Sequence, residues 1–587
     1  MLQFFKFVLA TIVGLLFFML LIMVVLIGIG SAASSGDPVK VEANSVLKLK
    51  FDKPIVERST DDPLSELNLP FGQQNNIGLI QLREVIANAK LDNNIKGIFL
   101  EMDMSLSGGY ATIEEIRNAL LDFKESGKFI VSYGEYYTEK GYYLASVADS
   151  IYVHPVGGLE FNGISAELLF LKGTLDKLDI KPEVFKVGEY KSAVEPFLLD
   201  KMSEPSREQT ISYLSSINNY SLQNISKVRS IPVEELKRME DSLLIREPED
   251  ALKYKLITHV AYYDQVTSGI RRKLKIEQDK KINFIGLSRY AKAEKKLTLG
   301  SADNRIAVIV ASGEIQSGKN QDEIIGSEDV AEELRKARMD KKIKAIVLRI
   351  NSPGGSALAS DVMWREVVEA RKVKPVIASM SDLAASGGYY MAMACDTIVA
   401  SPNTITGSIG IFAVLFNVEN FLKNKLGITT DNVKTSPYAD LGYPTHPVSD
   451  FERKVIQSSI ERGYNIFTTK AAQGRDMPVE ALRKIASGRV WSGLEAKENG
   501  LVDILGGLDD AIKIAAKAAK VEKDYRVRYY PAQRTFLKEL FDTMNDEAEA
   551  KILESQFGTM APYVKSFQKI KRWEGVQARM PFDVVFK

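Results

Sequence analysis

Ile343-Lys344-Ala345-Ile346-Val347-Leu348 and Ile95-Lys96-Gly97-Ile98-Phe99-Leu100 are two versions of one stretch, and each runs on to a glycine pair, Gly354-Gly355 and Gly108-Gly109. Further matches follow at constant offset. Gly388-Tyr389-Tyr390 answers Gly141-Tyr142-Tyr143, Asp396 answers Asp149, Pro402 answers Pro155, and Gly410-Ile411 answers Gly163-Ile164. A repeat of this length sets the architecture before any single element is assigned. The chain therefore carries two copies of one fold, residues 45–297 and 302–526.

The second copy reads most clearly. Ser327 is placed to cap a helix whose Val330, Leu334 and Ala337 recur at helical spacing, and Ala345–Ile350 is an apolar run interrupted only by Arg349, the mark of a buried strand. A glycine turn leads to a helix over Asp361–Arg371, then to strand Val376–Ala378, helix Gly387–Ala394 and strand Ile398–Ala400. Strands alternating with helices imply parallel pairing and right-handed crossovers, hence an α/β fold. Helical patterns dominate between Ala193 and Leu297 and again over Asp440–Ser487, so each copy is expected to carry a helical excursion.

Length and composition bound the rest. The chain has 587 residues, 45% hydrophobic and 26% charged, enough for several domains with sizeable cores. Seventy-seven basic against 76 acidic residues give a formal charge of +1, no field for holding nucleic acid. One cysteine, Cys395, rules out an internal disulfide, and three scattered histidines, His154, His259 and His446, argue against a zinc site. No metal and no cofactor is expected.

Ahead of the repeats, residues 7–29 are almost wholly apolar, about 23 residues, long enough at 1.5 Å per residue to cross a hydrocarbon core of roughly 30 Å. A transmembrane helix is expected there rather than a cleaved signal, whose apolar region is usually shorter. Lys6 and the amino terminus precede it, which places residues 1–6 in the cytoplasm and the body on the far side. Residues 30–44 read as a linker. Beyond the second copy, residues 527–587 are expected to form a helical tail, with Phe536, Leu537, Leu540, Phe541 and Met544 as an apolar stripe.

Chemistry is expected around Ala384-Ala385-Ser386-Gly387-Gly388, which follows a strand and opens a helix. A hydroxyl there stands among unpaired N–H groups, the position of a nucleophile; the competing reading is that Ser386 merely caps the helix. Gly387 and the Asn351-Ser352-Pro353-Gly354-Gly355-Ser356 loop offer N–H groups for an oxyanion.

Leu383 through Tyr390, Thr406-Gly407-Ser408-Ile409-Gly410, Asn351 through Ser356, and Gly188-Glu189-Tyr190-Lys191-Ser192-Ala193-Val194-Glu195-Pro196-Phe197 together resemble the signal peptide peptidase A family in its long, duplicated form. That resemblance implies a Ser–Lys endopeptidase of the ClpP/crotonase-like fold, anchored in a bacterial inner membrane with its body on the periplasmic side. It also implies a homotetramer that degrades apolar peptides such as cleaved signal peptides. By the same resemblance the nucleophile is Ser386, the base Lys191, the oxyanion donors Gly354 and Gly387, and the support for the lysine Ser408. The chemistry is consistent: no histidine motif accompanies Ser386, and a lysine serves as base if burial brings its pKa from about 10.4 toward about 7–8.

The repeat adds a point of its own. Glu139 stands where the first copy would have a serine, and the second copy has Ala439, not a lysine, near the point opposite Lys191. Each copy then supplies one partner of a single site. The rival readings are a crotonase-type acyl-CoA enzyme and a catalytically inactive membrane scaffold.

Overall fold

The computed structural model describes residues 39–59, 76–293, 303–320, 323–531 and 576–580, with residues 3–4, 6–7, 9–15, 17–18 and 21 near the amino terminus. Strands β1 (Ser45–Phe51), β2 (Ile95–Met102), β3 (Phe129–Tyr137), β4 (Ser150–Leu159), β5 (Lys181–Val187), β6 (His259–Val260) and β7 (Phe284–Gly286) belong to the first copy. All but β5 form a parallel sheet in the order β6-β4-β3-β2-β1-β7.

The second copy contributes β8 (Arg305–Ser312), β9 (Glu314–Gln316), β10 (Ile324–Gly326), β11 (Ile343–Ser352), β12 (Gly354–Ser356), β13 (Val376–Ala385), β14 (Thr397–Ala400), β15 (Ile405–Gly407), β16 (Ile411–Asn417), β17 (Val490–Ser492) and β18 (Ile504–Leu505). Two later strands are β19 (Arg526–Tyr530) and β20 (Gln577–Arg579), and the short strands Ile55–Val56 and Ile77–Gly78 pair with each other in parallel. The main sheet runs β17-β15-β13-β11-β8-β19, with β14 on β13 and β18 on β14. Ile343, Ala345, Ile346, Val347, Leu348 and Ile350 are all buried, so β11 is a continuous apolar run because both faces of its sheet are covered. A third sheet, β10-β9-β12-β20-β16-β5, draws strands from both copies.

The helices that matter to the site are α1 (Tyr110–Lys124), α2 (Glu139–Ala145), α3 (Glu204–Arg229), α4 (Ser327–Met339), α5 (Ala357–Arg371) and α6 (Gly387–Ala392). Both excursions are helical, through α3 and the helix Asp450–Gly474. Ser327 is not a cap: strand β10 runs straight into α4, leaving Gly326 at the cap and Ser327 as the first helical residue. Ser356 does cap α5, its hydroxyl accepting from Ala359 N at 3.3 Å.

Two expectations at the chain ends fare differently. Residues 9–15 are helical, but among the described residues no helix is long and apolar enough to cross a membrane, and residues 22–38 of the span and linker lie outside them. The tail expected to be helical supplies strand in its described parts, β19 beside β8 and β20 between β12 and β16. Open sheet edges gave those segments backbone partners that side-chain periodicity does not register. The Phe536–Met544 stripe lies outside the described residues.

The copies are joined by polar groups. Arg349 of β11, fully buried, reaches Glu57 at 2.9 Å and Glu115 at 2.7 Å in the first copy, and donates to Ser379 and Ser381 at 3.1 and 3.0 Å. Asp382 of β13 crosses in the same way to cap α1, accepting from Gly109 N at 3.0 Å, Thr112 N at 2.8 Å and Thr112 Oγ1 at 2.6 Å. Since α1 has only glycine at its own cap, Asp382→Ala is expected to cost about 1–2 kcal/mol, read as a lower urea midpoint. An unchanged midpoint would mean that this contact does not tie the copies together.

Candidate active site

Ser386 sits between β13 and α6, where the chain leaves the sheet at the carboxyl end of a parallel strand, the usual place for sites in such folds. Its φ is +54° and ψ −109°, a region that costs a non-glycine residue about 1–3 kcal/mol and is held by Ser386 N donating to Gly407 O at 2.8 Å. The side chain makes no cap hydrogen bond to α6. The reading of Ser386 as a mere helix cap is therefore set aside, and the strained turn holds the hydroxyl away from the helix end.

Lys191 lies 195 residues earlier in the chain, yet its Nζ is 3.0 Å from Ser386 Oγ. It also reaches Ser408 O at 3.1 Å and Ser408 Oγ at 3.0 Å. Lys191, Ser386 and Ser408 are all fully buried. A neutral amine has two N–H donors and one lone pair. Lys191 Nζ lies within donating distance of all three serine oxygens, and in the neutral form the two Ser408 oxygens can take both donors, which would leave the lone pair for the Ser386 hydroxyl. Burial alone holds the Lys191 amine well below the ordinary lysine range. Glu189, which would oppose that if turned inward, is exposed.

The lysine is delivered by a ladder between the copies. β5 pairs antiparallel with β16, from Val187 opposite Ile411 to Lys181 opposite Asn417, and Lys191 follows just past its end. Gln209 of α3, fully buried, donates to Tyr190 O at 3.1 Å and Ser192 Oγ at 2.9 Å and accepts from Val490 N at 3.0 Å. It thereby clamps the lysine turn to β17. Tyr190 N donates to Ser487 O at 3.0 Å, and Gly488 packs its Cα against the lysine backbone. Neither Gln209 nor Gly488 was expected from the sequence. Both work through contacts far apart in the chain, and no local motif marks them.

Gly354 (φ +100°) and Gly387 lie side by side: a Cβ built on Gly354 would stand 2.7 Å from Gly387 N. Gly354 N donates to Ser352 Oγ at 3.1 Å. The five residues singled out from the sequence, Lys191, Ser386, Ser408, Gly354 and Gly387, thus gather around one point. Such a cluster can hold a hydroxyl next to a neutral base, beside backbone donors at a helix start.

In the first copy the corresponding place is filled by Glu139, the first residue of α2. Its carboxyl accepts from Asn162 N at 3.0 Å, and burial pushes its pKa up to about 8, so at neutral pH it is mainly a protonated acid.

Comparison with known proteins gives a consistent picture. The family model described as peptidase family S49 matches twice, over residues 122–277 and 369–522, and the two starts stand as far apart as Tyr142 and Tyr389. Protease 4 of Salmonella typhi is 37% identical over 573 residues, covering 95% of this chain and 91% of that protein. The chloroplastic serine protease SPPA of Arabidopsis thaliana is 36% identical over 511 residues, covering 86% and 74%. Among solved structures, a ClpP1 variant from Listeria monocytogenes aligns with 35% of this chain and 94% of its own at 19% identity, with a TM-score of 0.24, too slight a likeness to argue from.

Gly488 tests the delivery of the lysine. Its φ is +80°, and a Cβ added there would stand only 2.7 Å from Lys191 N and Cβ, so Gly488→Ala has to displace the lysine turn. A shift of about 1 Å in a reacting group costs on the order of 100-fold, so peptide hydrolysis should fall by about that factor in kcat/KM. Unaltered hydrolysis would separate this contact from the positioning of Lys191.

Proposed function

We propose, from the premise that this chain belongs to peptidase family S49 and is a serine protease, that it is a membrane-anchored endopeptidase working through a dyad of Ser386 and Lys191 on apolar peptides. The observation that carries this reading is the buried 3.0 Å contact between Lys191 Nζ and Ser386 Oγ, with no carboxylate acting on the amine.

Lys191, neutral through burial, takes the proton of Ser386 as Oγ attacks a peptide carbonyl. The oxyanion that forms faces the N–H of Gly387 and that of Gly354, the latter exchanging its bond to Ser352 Oγ for the oxyanion, in a buried site where each donor counts for more than in solution. The ammonium of Lys191 then gives its proton to the leaving amine, and water, activated by the same amine, releases the acyl group. Ser408 orients the amine throughout by accepting its two N–H bonds.

The anchor is residues 7–29. Phe7, Leu9, Ile12, Val13, Leu15 and Phe17 are all exposed in the amino-terminal helix, which leaves apolar side chains around its circumference, an arrangement suited to lipid. The body then lies on the periplasmic side of a bacterial inner membrane, within reach of cleaved signal peptides, and assembles as a homotetramer. Because each copy supplies half of the dyad, a tetramer holds four sites.

Ser386→Ala should reduce peptide hydrolysis by about 10⁴-fold or more with an unchanged melting temperature. Hydrolysis retained in the purified variant would remove Ser386 from the mechanism. The base has a pH signature. Burial lowers the lysine pKa, and the amine works only when unprotonated. Activity is therefore lost in acid and rises with pH along a limb lying below the ordinary lysine value of about 10.4. Lys191→Arg should be inactive at every pH, since guanidinium keeps its proton; an active arginine variant would assign the base to another group.

A further inference from the structure

Tyr190 and Ser408 flank the lysine from different copies, and one residue outside the dyad touches both. Arg489, which leads into β17, accepts from Ser408 N at 2.7 Å through its backbone carbonyl. Its guanidinium turns the other way, toward the residue just before Lys191. It donates to Tyr190 Oη at 3.2 Å and to Glu208 Oε1 of α3 at 2.7 Å, while Tyr190 Oη donates to Glu208 Oε2 at 3.0 Å. These three side chains close a triangle of hydrogen bonds across the boundary between the copies.

The guanidinium also lies against aromatic rings. Its central carbon is 4.8 Å from the centre of the Tyr190 ring and 4.4 Å from a ring centre of Trp491, one ring from each copy. Trp491 is itself held, its indole N–H donating to Ile485 O at 3.0 Å. Only 18% of the Arg489 side chain is exposed, against 54% for Glu208. A desolvated guanidinium gains more over aromatic faces than from an ion pair open to water, so the rings carry most of the grip. The repeat ties this arginine to the copy that holds the serine. The offset that sets Ala251 against Ala496 and Leu256 against Leu501 sets Leu244 against Arg489, and the helices Pro248–Lys253 and Gly493–Glu498 correspond at the same offset. The copy with Glu139 opposite Ser386 therefore has leucine at the place of the arginine.

We propose that Arg489 is a positioning residue for the general base. Its carbonyl fixes Ser408 and its guanidinium fixes Tyr190, so one residue sets the distance between the Lys191 amine and the serine oxygens around it. The proposal rests on the Ser–Lys reading for the role of the amine and goes beyond it by assigning a residue that touches neither substrate nor the reacting atoms. Burial alone lowers the pKa of the amine, so Arg489 contributes geometry and not charge.

The test uses the full chain and a quenched fluorogenic peptide of leucine, alanine and valine. Arg489→Met keeps an unbranched stem beside the rings but has no donors. Its kcat should fall by about 10- to 100-fold, the cost of misplacing a reacting group by up to about 1 Å, with KM unchanged. Tyr190→Leu, which removes the ring and its hydroxyl, should cause a similar fall. The double variant should be no slower than the slower single one, because both substitutions break the same contact. Hydrogen exchange answers independently of turnover: the backbone amides of residues 188–192 should exchange about tenfold faster in Arg489→Met than in the parent chain. If Arg489→Met does not fold, Tyr190→Leu at its half-buried position decides by the same two measurements. Unchanged kcat, a loss confined to KM, losses that multiply in the double variant, or unchanged exchange each overturn the proposal. If Ser386→Ala hydrolyses the peptide as fast as the parent, the dyad reading fails instead, and exchange alone decides whether Arg489 holds the lysine turn.

Discussion

The antiparallel ladder between Lys181–Val187 and Ile411–Asn417 is the contact on which the rest of the site depends. It stitches a strand of the first copy to a strand of the second, and both flanks of the site hang from it. Lys191 follows the end of one strand and Ser408 precedes the start of the other. A slip of one residue would turn every side chain of the strand to the opposite face and carry the amine away from Ser386. Backbone pairing across the repeat boundary, rather than any feature of either copy alone, sets the 3.0 Å distance at the centre.

A lysine in the interior is held between the cost of desolvation and the hydrogen bonds it gains. Burying an ammonium without a carboxylate is unfavourable, and that cost holds the Lys191 pKa well below the ordinary lysine range. What remains is an amine whose three hydrogen-bonding directions are all met by Ser386 and Ser408. Both serines have positive φ, +54° and +50°, and that strain is carried by the sheets around them. A well-packed scaffold on both sides of β13 and β15 is what allows two strained residues to face each other.

The first copy supports the second through buried polar contacts. Glu139 stands where the second copy has Ser386, as a buried acid whose pKa burial raises to about 8. Glu57 and Glu115 neutralise Arg349 of the other copy, and α1 receives its cap from Asp382. A buried arginine left without these carboxylates would be costly, which commits the two copies to staying together. The first copy thus carries Glu139 opposite Ser386 while it supplies Lys191 and the contacts that hold it.

Much of this was legible in the sequence alone. The repeat, the α/β alternation and the apolar strands could be read because they are periodicities and matches along the chain, where covalent neighbours determine the signal. Ser386, Lys191, Ser408, Gly354 and Gly387 could be singled out through the family resemblance because each lies in a compact local motif, and the fold brings them together. The amount of strand in the tail, the cap lent by Asp382 and the clamp of Gln209 were not. Each is decided by which distant segment offers an unpaired backbone edge or a buried polar partner, and that is settled only when the chain has folded and the desolvation of those groups demands that their hydrogen bonds be made.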